Sequence, residues 1–300
     1  MATIKVYLGK QKAEKQKCEN KDMIDAGATD FNVEESITPL KSERFMNVQA
    51  EGDSTIGKID LQGSIPIEFS KEILEILMPA ISYTKTGADY KMSTNDPAFY
   101  TIVLVDESSN EKWEYVDCMI SNMKLNIALG GFITGSIDIV GKTYEIGTGK
   151  VTGAKPAGDS LRALFSNINL AAANVSADIE GVDIEINNGV EAKGSLNSLY
   201  NVKFRRTQPQ ETKVSIQKNE YNAAQFKEMK DKMIKGTSVA GTIKLGKPGE
   251  EDTIVINLIK MFINSNQRGD YKGAGTHNIE LLCSANNADS SHLKFTFKEV

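Results

Sequence analysis

From Met119 to Leu129 the odd positions are apolar except Ser121, with Met119, Met123, Leu125, Ile127 and Leu129 set against Asn122, Lys124 and Asn126. Two residues per repeat is the period of a half-buried strand, and a helix of this composition would need apolar residues three and four apart. Gly130-Gly131 follows, and the alternation resumes with Ile133, Ile137 and Ile139 against Thr134, Ser136 and Asp138. A glycine pair between two alternating runs is a hairpin signal, so the stretch reads as one long antiparallel hairpin with a dry face and a wet face. Such a hairpin must bury its dry face under another layer and must dispose of its edges.

A second alternating run places Val175, Ala177 and Ile179 against Ser176, Asp178 and Glu180. It slips by one at Gly181, as at a bulge, and continues with Val182, Ile184 and Ile186 against Asp183 and Glu185. Asn188-Gly189 is the strongest short turn signal in the chain, which predicts a second long hairpin from Val175 to Phe204. Two helices are expected. Ser70 caps the first, with Ile73, Leu74, Ile76 and Leu77 on one face and a stop at Pro79; Asn222 caps the second, with Phe226, Met229 and Met233 along one side.

The order of elements repeats. A strand from Lys58 to Phe69 precedes the first helix, and strands at Tyr100–Val105, Trp113–Leu129 and Ile133–Val140 follow it. A strand from Thr212 to Gln217 precedes the second helix, and strands near Val239–Leu245, Thr253–Ile263, His277–Ser284 and Leu293–Phe297 follow. The pattern predicts a mainly β chain of two tandem domains, 1–150 and 151–300, joined through the Gly-, Thr-, Lys- and Pro-rich stretch from Gly141 to Gly158.

The chain carries a net charge of −5, and nothing in it suggests the basic patch that gripping nucleic acid requires. Its three cysteines, Cys18, Cys118 and Cys283, are scattered, which argues against a disulfide framework or a zinc site. No apolar run approaches the roughly 20 residues of a membrane span, and charges from Lys10 to Lys17 fall where a signal peptide has its apolar core, so a soluble protein used without export is expected. His277 and His292, the only histidines, read as strand residues beside a turn in preference to a site with Cys283. Gly141-Lys142-Thr143 ends like a phosphate loop, but Ser136 occupies the place of the first glycine and the stretch is a strand. Arg268-Gly269-Asp270 reads as a turn between strands. Paired carboxylates for glycoside chemistry are not singled out, and one tryptophan, Trp113, is a thin endowment for a sugar cleft. No catalytic residue, metal or cofactor is therefore assigned. The acidic set Asp178, Glu180, Asp183 and Glu185 reads either as a solvated strand face, as a calcium site lacking the usual loop pattern, or as a wall facing something polyanionic.

Cys118 to Lys142 reads C-M-I-S-N-M-K-L-N-I-A-L-G-G-F-I-T-G-S-I-D-I-V-G-K, and this resembles the signature hairpin of phage tail tube proteins. Asn169 to Val190, N-L-A-A-A-N-V-S-A-D-I-E-G-V-D-I-E-I-N-N-G-V, is similar to the other long hairpin of that family. The order of strand, helix and strands matches twice, as in tube proteins with two fused domains. The loop from Tyr83 to Ala98 and the lack of a Gly-Gly turn in the last hairpin depart from the pattern. The resemblance implies β-sandwich or half-barrel domains, each with one flanking helix and a long hairpin, set side by side in rings. Single-domain subunits form rings of six, so a two-domain chain needs three copies for pseudo-sixfold symmetry, and rings stack into the tube through which the genome passes.

The same resemblance implies as partners further copies of the chain, the tail tip or baseplate, the tail terminator, the tape measure protein, and DNA that passes without tight binding. It implies a virion protein assembled in the host cytoplasm. An acidic wall repels phosphates, so Asp138, Asp178, Glu180, Asp183 and Glu185, with Lys124 and Asn126, are the candidate channel-lining residues. Tyr83–Ala98 and Cys18–Phe31 are the candidate inter-ring contacts. The competing readings are another tail component, such as a tail completion protein or the tube of a contractile particle, a β-sandwich binding module, and a hydrolase on a β scaffold.

Overall fold

The computed structural model describes residues 4–41, 54–169, 179–195, 197–247, 250–271, 274–285 and 290–298. Nineteen strands and two α-helices are formed among them, so the chain is mainly β. In chain order they are β1 (Ile4–Lys10), β2 (Ile24–Asp25), β3 (Asn32–Lys41), β4 (Ser54–Glu68), α1 (Lys71–Leu77), β5 (Tyr83–Thr86), β6 (Asp89–Met92), β7 (Tyr100–Asp106), β8 (Glu111–Ala128), β9 (Thr134–Gly141) and β10 (Thr143–Thr148). There follow β11 (Arg162–Asn169), β12 (Ile179–Asn187), β13 (Val190–Ser195), β14 (Ser198–Arg206), β15 (Glu211–Lys218), α2 (Ala223–Lys235), β16 (Val239–Lys247), β17 (Glu250–Tyr271), β18 (Ala274–Cys283) and β19 (Leu293–Phe297).

Eight strands form one continuous antiparallel sheet in the order β3-β4-β9-β8-β12-β15-β18-β17. The long strands β8 and β17 each serve two sheets. The first part of β8 pairs with β7 on one side and β10 on the other, and β1 lies beyond β7. The first part of β17 pairs likewise with β16 and β19, and β11 lies beyond β16. Each long strand carries one unpaired extra residue before its second part, Ser121 in β8 and Asn264 in β17. Asp117, with φ +57°, marks the place where β8 changes partners. Bulges and local left-handed residues bend a strand, and this lets one strand leave one sheet and enter another.

The expected hairpin from Met119 to Val140 is present as β8 and β9. Met123, Leu125, Ile127, Ile137 and Ile139 are buried and pack in a core that runs without interruption through both halves of the chain, together with Ile184, Ile186, Val214, Ile256 and Phe295. Ser70 caps α1 by accepting from the Ile73 amide at 3.1 Å, and Asn222 caps α2 by accepting from the Ala224 and Gln225 amides at 3.0 and 3.1 Å. Pro79 does not end the helical path at once, because a 3-10 turn over Met78–Ile81 carries it inside its first turn.

Four expectations are corrected. Asn188-Gly189 does not turn a hairpin, since β12 pairs with β15 and β8 while β13 pairs only with β14. Asn188 is fully buried, its amide donating to the Ala80 and Ile120 carbonyls and its oxygen accepting from Gln210. Gly189 takes φ +61° with the Gln208 carbonyl 2.5 Å from where a Cβ would sit. The dipeptide therefore re-aims the chain out of the sheet. Secondly, Gly141–Gly158 is not connector throughout, because Gly141 ends β9 and Thr143–Thr148 is β10. Thirdly, Arg268-Gly269-Asp270 lies within β17, paired with His277, Thr276 and Gly275. Fourthly, Tyr83–Ala98 is no free loop. It holds the β5–β6 hairpin, which docks on β19 and buries Tyr83 and Tyr90 against Phe295 and Phe297. Cys18–Phe31 packs too, with Met23, Ile24 and Ala26 buried.

Candidate functional site

The eight-stranded sheet has one face in the core and one face of polar side chains. Alternation along each strand puts Asn122, Lys124 and Asn126 of β8, Ser136 and Asp138 of β9, and Asp183 and Glu185 of β12 on the polar face, since their neighbours Met123, Leu125, Ile137, Ile184 and Ile186 are buried. Register extends the face in both directions. Asp138 lies opposite Ser64, and Ser64 opposite Asn32. Asp183 lies opposite Ser215, and Ser215 opposite Glu280. A shallow hollow of about 180 Å³ opens on this side between β12 and β17, lined by Asp183, Ser215, Gln217, Ser265, Gln267 and Glu280 among others.

Five of the seven candidate residues are thus brought together. At the seam between β8 and β12, Asn126 donates its amide to Asp183 at 2.5 Å, Lys124 Nζ lies 3.5 Å from Glu185 Oε1, and Asn122 donates to Glu185 at 2.9 Å and to Asp138 at 3.2 Å. Glu180 is exposed at the bulge near the start of β12. Asp178, and the run from Val175 to Ala177, lie outside the described residues. Sequence reading missed Glu34, Asp60, Glu211 and Glu280, which share the face by register. Their signal was alternation in β3, β4, β15 and β18, and only the pairing shows that those strands line up with β8 and β12. Against these carboxylates the face carries Lys58, Lys124 and Lys213, so it is acidic on balance.

Among the described residues no cluster of three His, Cys, Asp or Glu could hold a metal ion. His277 is buried beneath α2, its Nε2 2.5 Å from Asn266 Oδ1 and its ring against Phe226 and Tyr221. Burial and the nearby Lys218 ammonium hold its pKa below the ordinary histidine value. His292 is half-buried beside Thr212, and burial lowers it likewise. Burial pushes the Cys283 thiol up to about 12 and the Cys118 thiol higher still, which leaves both as inert core residues.

The described residues thus present one polar, acidic face on a long antiparallel sheet. The family described as phage tail tube protein matches residues 2–280. The chain belongs to that family. No curated protein sequence matches it significantly. As a phage tail tube protein it is a structural component of the virion that assembles with other tail proteins. The mainly β fold fits this role, and no helix among the described residues is long and apolar enough to cross a membrane.

Proposed function

We propose that the chain is two tandem tube units, 1–150 and 151–300, and that three copies close into a ring of pseudo-sixfold symmetry whose polar face lines the channel for genome passage. The observation that carries this is the pairing scheme. Four strands, β3-β4-β9-β8, recur in the same order and sense as β12-β15-β18-β17, with a capped helix after β4 and after β15. The pairing of β8 with β12 joins the two units edge to edge. Among the described residues the outer edge of β3 and the second part of β17 have no strand beside them. An unpaired edge at each end of an open sheet is a liability that ring closure removes.

Eight strands from each of three copies form one closed wall. Its acidic balance, with Asp138, Asp183 and Glu185 at the seam, keeps phosphates from adhering, so DNA slides past. Rings then stack head to tail, a contact that repeats without closing along the axis. The tape measure protein occupies the lumen before the genome does, the tail tip or baseplate and the terminator cap the two ends, and assembly takes place in the host cytoplasm.

Electron microscopy of the purified protein tests the reading. Hollow tubes of uniform bore with three copies per ring are expected. Rings of six copies, or globular particles at every concentration, refute it.

A further inference from the structure

The proposed ring requires an edge contact between copies, and the chain carries a template for it in the β8–β12 seam. Ser121 and Asn264 are the bulged residues of β8 and β17, so Asn126 and Gly269, each five residues further on, hold equivalent places. Asp138 and Glu280 lie opposite the residue after each bulge. Asp138 leads across Ser64 to Asn32, and Glu280 leads across Ser215 to Asp183, so Asn32 of β3 corresponds to Asp183 of β12. In the seam Asp183 faces Asn126, Glu185 faces Lys124 and Asn187 faces Asn122. Transferred to the free edges, Asn32 faces Gly269, Glu34 faces Gln267 and Ser36 faces Ser265.

The opposite side of the two edges supplies an independent observation. In the internal seam the diagonal neighbours Ile186 and Leu125 are both buried. Their counterparts at the free edges are Glu35 and Arg268, one acidic and one basic, on strands that do not meet within one chain. Neither makes an ion pair among the described residues, and the Arg268 guanidinium rests 4.8 Å over the Tyr221 ring. Diagonal cross-strand neighbours are within reach of long side chains, and opposite charges there favour the register that joins them. A polar pair at one seam and an apolar pair at the other also distinguishes the two junctions, so the free edge of one copy does not compete for the internal seam of another.

We infer that β3 of one copy pairs antiparallel with the second part of β17 of the next in this register, with Glu34 opposite Gln267 and Glu35 reaching Arg268. The inference rests on the ring reading and specifies its contact residue by residue.

Two sets of variants of the full chain test it. The first is E35R, R268E and the double swap, each assayed for tube formation by electron microscopy and sedimentation. Each single swap raises the concentration needed for tubes several-fold, and the double swap restores it towards that of the parent. The second pairs Glu34→Cys with Gln267→Cys, and, as a two-residue slip, Ser36→Cys with Gln267→Cys, both with Cys18→Ser. On mild oxidation of tubes the first pair links copies covalently and the slipped pair does not. If the parent forms tubes but the slipped pair links as well as the first, or the double swap is as defective as the singles, the register is wrong and the tube reading stands. If the parent forms no tubes, the tube reading falls and the register with it.

Discussion

Lys124 Nζ on β8 lies 3.5 Å from Glu185 Oε1 on β12, bridging the two halves of the chain across the polar face. Both side chains are about half exposed, so the pair itself contributes at most about 1 kcal/mol to stability. Its neighbours Asp138 and Asp183 give the place its negative sign.

Reversing that sign separates assembly from passage. Asp183→Lys with Glu185→Lys is expected to lower the stability of the chain only slightly, because both side chains are on the solvated face. With this face lining the channel, as proposed, tubes are expected still to form while phosphates adhere to the reversed wall, and adhesion weakens with salt. DNA ejection from phage carrying this tube, measured in vitro, should slow markedly at low ionic strength and recover at high. Equal ejection rates for parent and variant at low salt would remove these residues from the lumen.

His277 predicts a pH dependence. The folded chain holds its imidazole neutral below the ordinary value, because it is buried beside the Lys218 ammonium. Below about pH 6.5 the unfolded chain therefore takes up a proton that the folded chain refuses. The stability contributed by the neutral form is complete above that range and declines as pH falls through it, and His292, lowered by burial, adds in the same sense. Urea unfolding at a series of pH values should show the midpoint falling on the acid side. His277→Gln, which cannot titrate, should flatten that fall, and an unchanged slope would count against the assignment.

The legible part of the fold was the part with local period. Met119–Leu129 alternates because Met123, Leu125 and Ile127 reach one core, and Ser70 and Asn222 announced their helices because a cap is a contact within four residues. What escaped was set by contacts distant in sequence. Asn188-Gly189 has the chemistry of a tight turn, yet Asn188 is held by Ala80 and Ile120. The second part of β17 lost its alternation because Asn264 is an extra residue, Asn266 donates to the Phe226 carbonyl of α2, and Arg268, on the same side, is exposed with its guanidinium over the Tyr221 ring. Lys218 is fully buried, with its ammonium donating to Gln225 of the helix that covers it, a placement set by a tertiary contact that strand periodicity does not report. At the site, the central acidic residues were visible in one strand at a time. That Glu34 and Glu280 share their face follows from pairing alone.

The cysteines report on the folded state. Cys18 is half-buried, and burial raises its thiol pKa, but it is the least enclosed of the three. Cys118 and Cys283 are buried with thiols pushed far up, so they present almost no thiolate near neutral pH. Alkylation of the native protein at pH 8 followed by peptide mass spectrometry should modify Cys18 first, with Cys118 and Cys283 labelled only after unfolding. Early labelling of Cys283 would mean that the β17–β18 end of the sheet opens readily.

The continuous core makes a last prediction about how the halves are joined. Ile184 on β12 is fully buried and faces Leu125 on β8 across the seam, while its own β15 neighbour, Val214, belongs to the second half. Truncating it leaves a cavity shared by both halves, so Ile184→Ala should cost about 2–5 kcal/mol. Because the seam is a strand pair over a shared core, the loss should appear in one cooperative unfolding transition for the whole chain. Differential scanning calorimetry of parent and variant tests this. Two resolved transitions, with only the second shifted by the substitution, would show that the halves are stabilised separately and that β8–β12 is a contact between independent folding units.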